Sequence, residues 1–179
     1  MNKTPLLLAL LTLTGALAAT VPDASAQGRV RGRAVAHSAD GGRAAVTGAA
    51  ARGEHGAHAR GRKIISDGQG NVAGRSGGYV QGANGGSAGR QGSFYRNADG
   101  SAGRQGSAFV EGPNGGSAAT SGSVARDADG SVNASRSTTA TGASGNTYNG
   151  STTVNDGQIS HTGTCTNAAG ETIACRGGN

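Results

Sequence analysis

A glycine recurs at every fifteenth position through the middle of this chain: Gly70, Gly85, Gly100, Gly115, Gly130 and Gly145. A second column keeps the same spacing and is mostly apolar, running Ile64, Tyr79, Phe94, Phe109, Val124, Thr139 and Val154. Two columns in one phase mean one supersecondary unit used repeatedly, which constrains the architecture before any propensity is consulted.

The glycine column sits in turn signals. Asn97-Ala98-Asp99-Gly100, Gly112-Pro113-Asn114-Gly115 and Asp127-Ala128-Asp129-Gly130 each read as a three-residue hairpin loop, a type I turn followed by a left-handed residue. Pro113 suits the first loop position, where φ near −65° is wanted; glycine suits the third, where φ is positive. Asn97 and Asp127 can cap their turns through the side chain. Asp40-Gly41 and His55-Gly56 are turn-like and also fifteen apart, and Asp156-Gly157 and Ala169-Gly170 continue the series at shorter spacing.

Segments of Ser, Thr, Gly and Ala lie between the turns and read as weak strands, because glycine recurs too often for helix and no 3.6-residue period is present. Gly82, Gly112 and Gly142 recur every thirty residues, with Asn97 and Asp127 in the alternate slots, as up-and-down hairpins require. The pattern predicts an all-β repeat fold, an antiparallel β-hairpin meander of 15-residue units. A parallel β-solenoid is the alternative, in which the apolar column would stack directly. In the meander Tyr79 would face Gly89 and Tyr95 would face Gly103, with rings covering cross-strand glycines. Tyr79, Phe94, Tyr95, Phe109 and Val124 are the residues expected to hold the repeats together.

Composition matters here because it threatens that fold. Hydrophobic residues are 34% of the chain, many of them alanine, aromatics are 3%, and tryptophan is absent, so a compact globular core is out of reach. Ordering a residue costs about 1–2 kcal/mol of backbone entropy, which such a chain has little apolar burial to offset. An unstructured chain, however, has no reason to keep apolar residues in phase. Disorder is therefore reserved as an alternative for the N-terminal basic segment.

The ends carry different signals. Lys3, the apolar run Leu6 to Leu13 with Ala16 to Ala19, and Ala24-Ser25-Ala26 make a secretory signal peptide over 1–26. The run is short of the ~20 apolar residues a membrane span needs. Residues 27–63 form a basic Arg/Gly/Ala-rich arm that reads alternatively as degenerate repeats, 64–157 the 15-residue repeats, and 158–179 a C-terminal disulfide hairpin. In that hairpin Cys165 and Cys175 sit symmetrically about Gly170, as cross-strand disulfide partners would, in keeping with an exported, oxidising address. The expected location is periplasm, cell surface or medium.

Charge is uneven. Arg29, Arg31, Arg33, Arg43, Arg52, Arg60, Arg62 and Lys63 stand in the arm against Asp40 and Glu54, whereas arginines and acids balance from residue 64 onward. Arg29, Arg31 and Arg33 alternate with small residues, so a strand would put three guanidinium groups on one face. Such a face attracts phosphate-rich partners: lipopolysaccharide, anionic lipid or extracellular DNA. No module for reading nucleic-acid sequence is present.

The remaining motifs favour bland readings. Glu54-His55-Gly56-Ala57-His58, with His37 upstream, lacks a defended fourth metal ligand and reads as polar loop. Asp127-Ala128-Asp129-Gly130 begins like a calcium loop, but its glycine falls at position four and position twelve is Thr138. No serine lies in a nucleophile elbow, and no Gly-Lys-Ser/Thr completes a phosphate loop. No catalytic residue, metal site or cofactor is assigned.

In its glycine-rich repeats behind a signal peptide, the chain resembles the repetitive exported proteins of Gram-negative bacteria, a compositional resemblance that covers most of the mature sequence and implies a secreted β-rich product. Curli-type amyloid subunits share the strand-turn-strand plan. This chain departs from them in its fifteen-residue spacing, in lacking an inward Gln/Asn ladder, and in carrying Arg75, Arg90, Arg104 and Arg136 inside the repeats. Those departures count against fibre formation. The expectation is a non-enzymatic secreted or surface β-repeat protein, structural or interacting in the envelope or matrix and capable of self-association. The alternative is a polyanion-binding factor acting through the basic arm.

Overall fold

The computed structural model describes residues 28–175. The segment 1–26, expected from its sequence to be a signal peptide, lies outside them. The chain forms a single open sheet of eleven strands in the order β1 to β11, each antiparallel to the next. They are β1 (Gly28–His37), β2 (Arg43–Gly53), β3 (Gly56–Ser66), β4 (Val72–Gly82), β5 (Ser87–Arg96), β6 (Ala102–Glu111), β7 (Ser117–Arg126), β8 (Val132–Thr141), β9 (Thr147–Asn155), β10 (Gln158–Thr166) and β11 (Thr172–Ile173). This is the hairpin meander, and the solenoid is excluded.

The turns are of the anticipated kind. Gly100 donates its N–H to the Asn97 carbonyl at 3.1 Å, and Asn97 donates to Ser101 at 2.8 Å, which closes a three-residue loop. The same pairing recurs at Gly112–Gly116 and Asp127–Ser131. Gly100 stands at φ 89°, in the left-handed region. The turn acids brace the loops from outside. Asp99 accepts from the Ser101 backbone N–H at 2.8 Å and from its hydroxyl at 2.7 Å, and Asp129 accepts from Ser131 in the same way. These bonds to Ser101 and Ser131, hydroxyl first and backbone second, hold both carboxyls below the ordinary aspartate range.

The basic segment is ordered: β1, β2 and most of β3 are built from it in continuous register with the repeats. A boundary at residue 63 cuts through β3. Its turns are simply shorter or less regular; Glu54 and His55, for example, make a two-residue connection between Gly53 and Gly56. The cysteines also differ from the expected geometry. Cys165 and Cys175 are bonded, with Cα atoms 5.3 Å apart, but the cross-strand partner of Cys165 is Ile173. The bond therefore ties the segment after β11 back onto β10.

The apolar column does not form one stripe. Cross-strand partners share a face and alternate residues along a strand change face. Following the pairing from Tyr79 through Gly89 to Phe109 places Tyr79, Tyr95 and Phe109 on one side. Phe94 and Val124 lie on the other, with Arg104 standing between them in the same row. A fifteen-residue step reaches the next strand on the opposite face, so each face repeats every thirty residues.

Among the described residues no hydrophobic side chain is buried. The rings work locally instead. Phe94 lies over Gly74, Phe109 over Gly89 and Tyr95 over Gly103, so closely that an added β-carbon at any of these glycines would collide with the ring. Tyr79 pairs in register with Gly89 as expected, but the ring covering Gly89 is Phe109, whose centroid lies 6.3 Å from that of Tyr79.

Two predictions test this account. At Gly100 a β-carbon would meet nothing within 4 Å, so backbone conformation alone sets the cost of substitution. Gly100→Val should destabilise the sheet in urea by about 1–2 kcal/mol and Gly100→Asn by much less, because asparagine tolerates the left-handed region. Stability should also fall at acid pH. The depressed carboxyls contribute fully above the ordinary aspartate pKa near ~4, and that contribution is lost as pH drops through their lower folded values. Asp99→Asn with Asp129→Asn should lower stability at neutral pH and so flatten the acid limb of a thermal melt series below about pH 4.

Candidate anion-binding face

Extending the register across the sheet sorts the charges. Arg31 pairs with Ala49, then Arg60, Gly78 and Arg90, so these three arginines stand in one row. Arg33 leads through Thr47 to Arg62 and, five pairings on, to Arg136. Arg29 and Arg43 belong to the same face. So do Arg90, Arg96, Arg104, Arg126 and Arg136, all from the part of the chain whose sequence charge is balanced. Successive strands lie about 4.8 Å apart, so arginines on alternate strands stand about 10 Å apart along a row.

No carboxylate occupies a strand position on this face. The acids that balance these arginines in sequence are elsewhere. Asp40, Asp67, Asp99, Asp127, Asp129 and Asp156 lie in the turns along one end of the strands, Glu54 and Glu171 lie in turns at the other end, and Glu111 closes β6 on the opposite face, paired with Ser87. Local turn chemistry placed the aspartates, and strand parity placed the arginines.

From β5 onward the opposite face is dominated by hydroxyls. Ser121 and Ser137 hydrogen-bond at 2.9 Å, Ser123 and Ser135 at 3.1 Å, and Thr147 and Thr166 at 2.6 Å, each pair in register. Two residues assigned to the cationic set by sequence belong here instead. Arg52 pairs with Gly28 and Ala57, and Lys63 pairs with Val46 and Arg75. Both project from the hydroxyl face, away from the other arginines, because they are odd steps along their strands.

On the cationic face Arg31, Arg60, Arg62, Arg90 and Arg104 border a shallow open trough of about 860 Å³. Its floor is small: Thr47, Ala49, Ser76 and Gly92 leave the backbone close to the surface. Phe94, flat on Gly74 and paired with Arg104, forms part of one wall. Such a floor lets a linear ligand lie against the sheet while guanidinium groups reach it from the sides. Planar, five-donor guanidinium suits phosphate, sulfate and carboxylate alike.

Other candidate chemistry stays unassembled. Among the described residues no three His, Cys, Asp or Glu side chains gather in metal-binding geometry. His55 is in a turn, His58 lies on the cationic face beside Ala51, and His161 bonds Thr152 at 2.8 Å. No helix among the described residues is long and apolar enough to cross a membrane. No protein-family model, curated protein or solved structure matches the chain. Charge counted along the chain hides the arginines of the repeats, whereas folding the sequence about each turn glycine puts Arg60 two strands from Arg90 in one row.

Reduction offers a local test of the disulfide's role. Opening so short a loop should cost the terminal hairpin roughly 2–3 kcal/mol. Amide exchange should accelerate in β10 and β11, with β4 to β8 little affected.

Proposed function

We propose that the chain is an exported, non-enzymatic β-repeat protein of the cell envelope or extracellular matrix, and that it works by holding anionic polymers against the arginine face of its sheet. One observation carries this reading: the arginines of the basic segment and those of the repeats converge on one face that has no carboxylate among its strand residues. The site is thus larger than the basic segment. An extended row of cations about 10 Å apart fits a polymer with repeated phosphate, sulfate or carboxylate groups better than a single small anion. The leader-like N-terminus and the Cys165–Cys175 bond support export.

The test removes equal charge from the two faces. Arg90, Arg104 and Arg136, all changed to Gln, should lower the salt needed to elute the oxidised protein from immobilised heparin. Arg52, Lys63 and Arg75, changed to Gln together, should leave elution close to the parent. Equal losses from both sets would show that net charge alone governs retention, and the face would lose its assignment.

A further inference from the structure

We infer that two copies of this chain stack through their hydroxyl faces, leaving both arginine faces outward. The inference concerns the face that the anion reading does not use, and it stands or falls separately.

A single sheet that buries no hydrophobic side chain leaves rings and branched chains in water on both sides. On the hydroxyl face Tyr79 is 45% exposed and Phe109 40%, and Tyr95 beside them is exposed as well. Covering them is the hydrophobic gain the monomer lacks. Charge decides which faces can meet. Stacking two arginine faces would bring like charges together at low dielectric with no carboxylate between them. The hydroxyl face carries on its strands only Arg52, Lys63, Arg75 and Glu111. The first three belong to β2, β3 and β4, so a copy centred on β5 to β9 leaves most of that charge at the rim.

Shape and polarity agree. The middle of this face is small and level: Gln91, Ser107, Ser121, Ser137 and Ser151 form one continuous row. Several of its hydroxyls already bond each other, so covering them leaves few donors stranded. Ten strands of ten residues present on the order of 1,600 Å² per face. A stable interface takes roughly 800 Å² from each partner, so a half-overlap suffices.

The edge offers a poorer route. Antiparallel pairing of two β1 strands would set Arg29, Arg31 and Arg33 of one copy beside the same residues of the other on a shared face, and like charges directly opposite destabilise a ladder.

Consecutive residues of β6 provide the experiment. Ser107 lies on the hydroxyl face and Ala108 on the arginine face. The oxidised mature protein should sediment as a dimer at micromolar concentration. Ser107→Arg should shift the dissociation constant at least tenfold toward monomer, with the far-ultraviolet circular dichroism of the sheet retained. Ala108→Arg, adding the same charge one residue on, should leave the dimer intact. If either variant loses its strand signal, Ser121→Lys and Thr120→Lys repeat the comparison on β7. A parent that stays monomeric at a hundred micromolar overturns the inference. So does equal weakening by both substitutions, or a dimer abolished by Arg31→Pro at the β1 edge. Heparin elution of monomeric Ser107→Arg reports separately on the anion face.

Discussion

The amide ladder between neighbouring strands is what the rest of this molecule depends on. Most proteins of this length fold around apolar side chains removed from water, and here none is buried among the described residues. Cohesion comes from nearly continuous backbone pairing between consecutive strands, supplemented by rings pressed onto cross-strand glycines. Each hydrogen bond contributes only about 1 kcal/mol net, so the ladder must be long and correctly registered to offset the entropy of ordering. Register is set at the turns. A slip of one residue would send every side chain to the other face and mix the arginines with the hydroxyls. The turn glycines therefore guard the charge pattern as well as the fold.

What could be read from the sequence follows from how local each determinant is. The three-residue loops were legible because Asn97, Asp99, Gly100 and their counterparts satisfy turn geometry within five residues. The meander followed from those loops, and so did the facing of Tyr79 by Gly89 and of Tyr95 by Gly103. The strands of the basic segment were harder to see because their turns vary in length, from Ser38–Gly42 to the two residues Glu54 and His55. Facing was the hardest property. It depends on parity accumulated over several strands, so a column as regular in sequence as Tyr79, Phe94 and Phe109 divides between two sides. The same parity moved Arg52 and Lys63 off the candidate site and brought Arg90, Arg104 and Arg136 onto it.

The charge pattern is a product of the repeat length. A turn wants aspartate, asparagine and glycine, so acids collect at the strand ends where hairpins reverse. A strand tolerates arginine on a solvated face. With one strand and one turn in fifteen residues, an odd number, equivalent positions alternate sides and a given face is revisited every thirty. Arg60 and Arg90 are thirty apart and share a row, whereas Arg75, midway between them, projects from the other face. A chain whose repeat half reads as neutral in sequence thus acquires one strongly cationic surface and one nearly neutral surface without any change in composition.

A sheet that ends in water must also keep its edges from extending. The β1 edge carries alternating arginines, which repel an identical strand arriving antiparallel. At the opposite edge β11 contributes only Thr172 and Ile173, and the chain after it is fixed to β10 by the disulfide, leaving much of the β10 edge unpaired. The two ends are thus unlike: one carries three arginines over its first half, the other is partly covered and pinned. Head-to-tail growth would need β1 of one copy to pair with the exposed part of β10 of another, where Thr162 and His161 offer no carboxylate to receive Arg31 or Arg33. Like charge at the β1 edge and the short, pinned β11 disfavour addition along the sheet and leave the two broad faces uncovered.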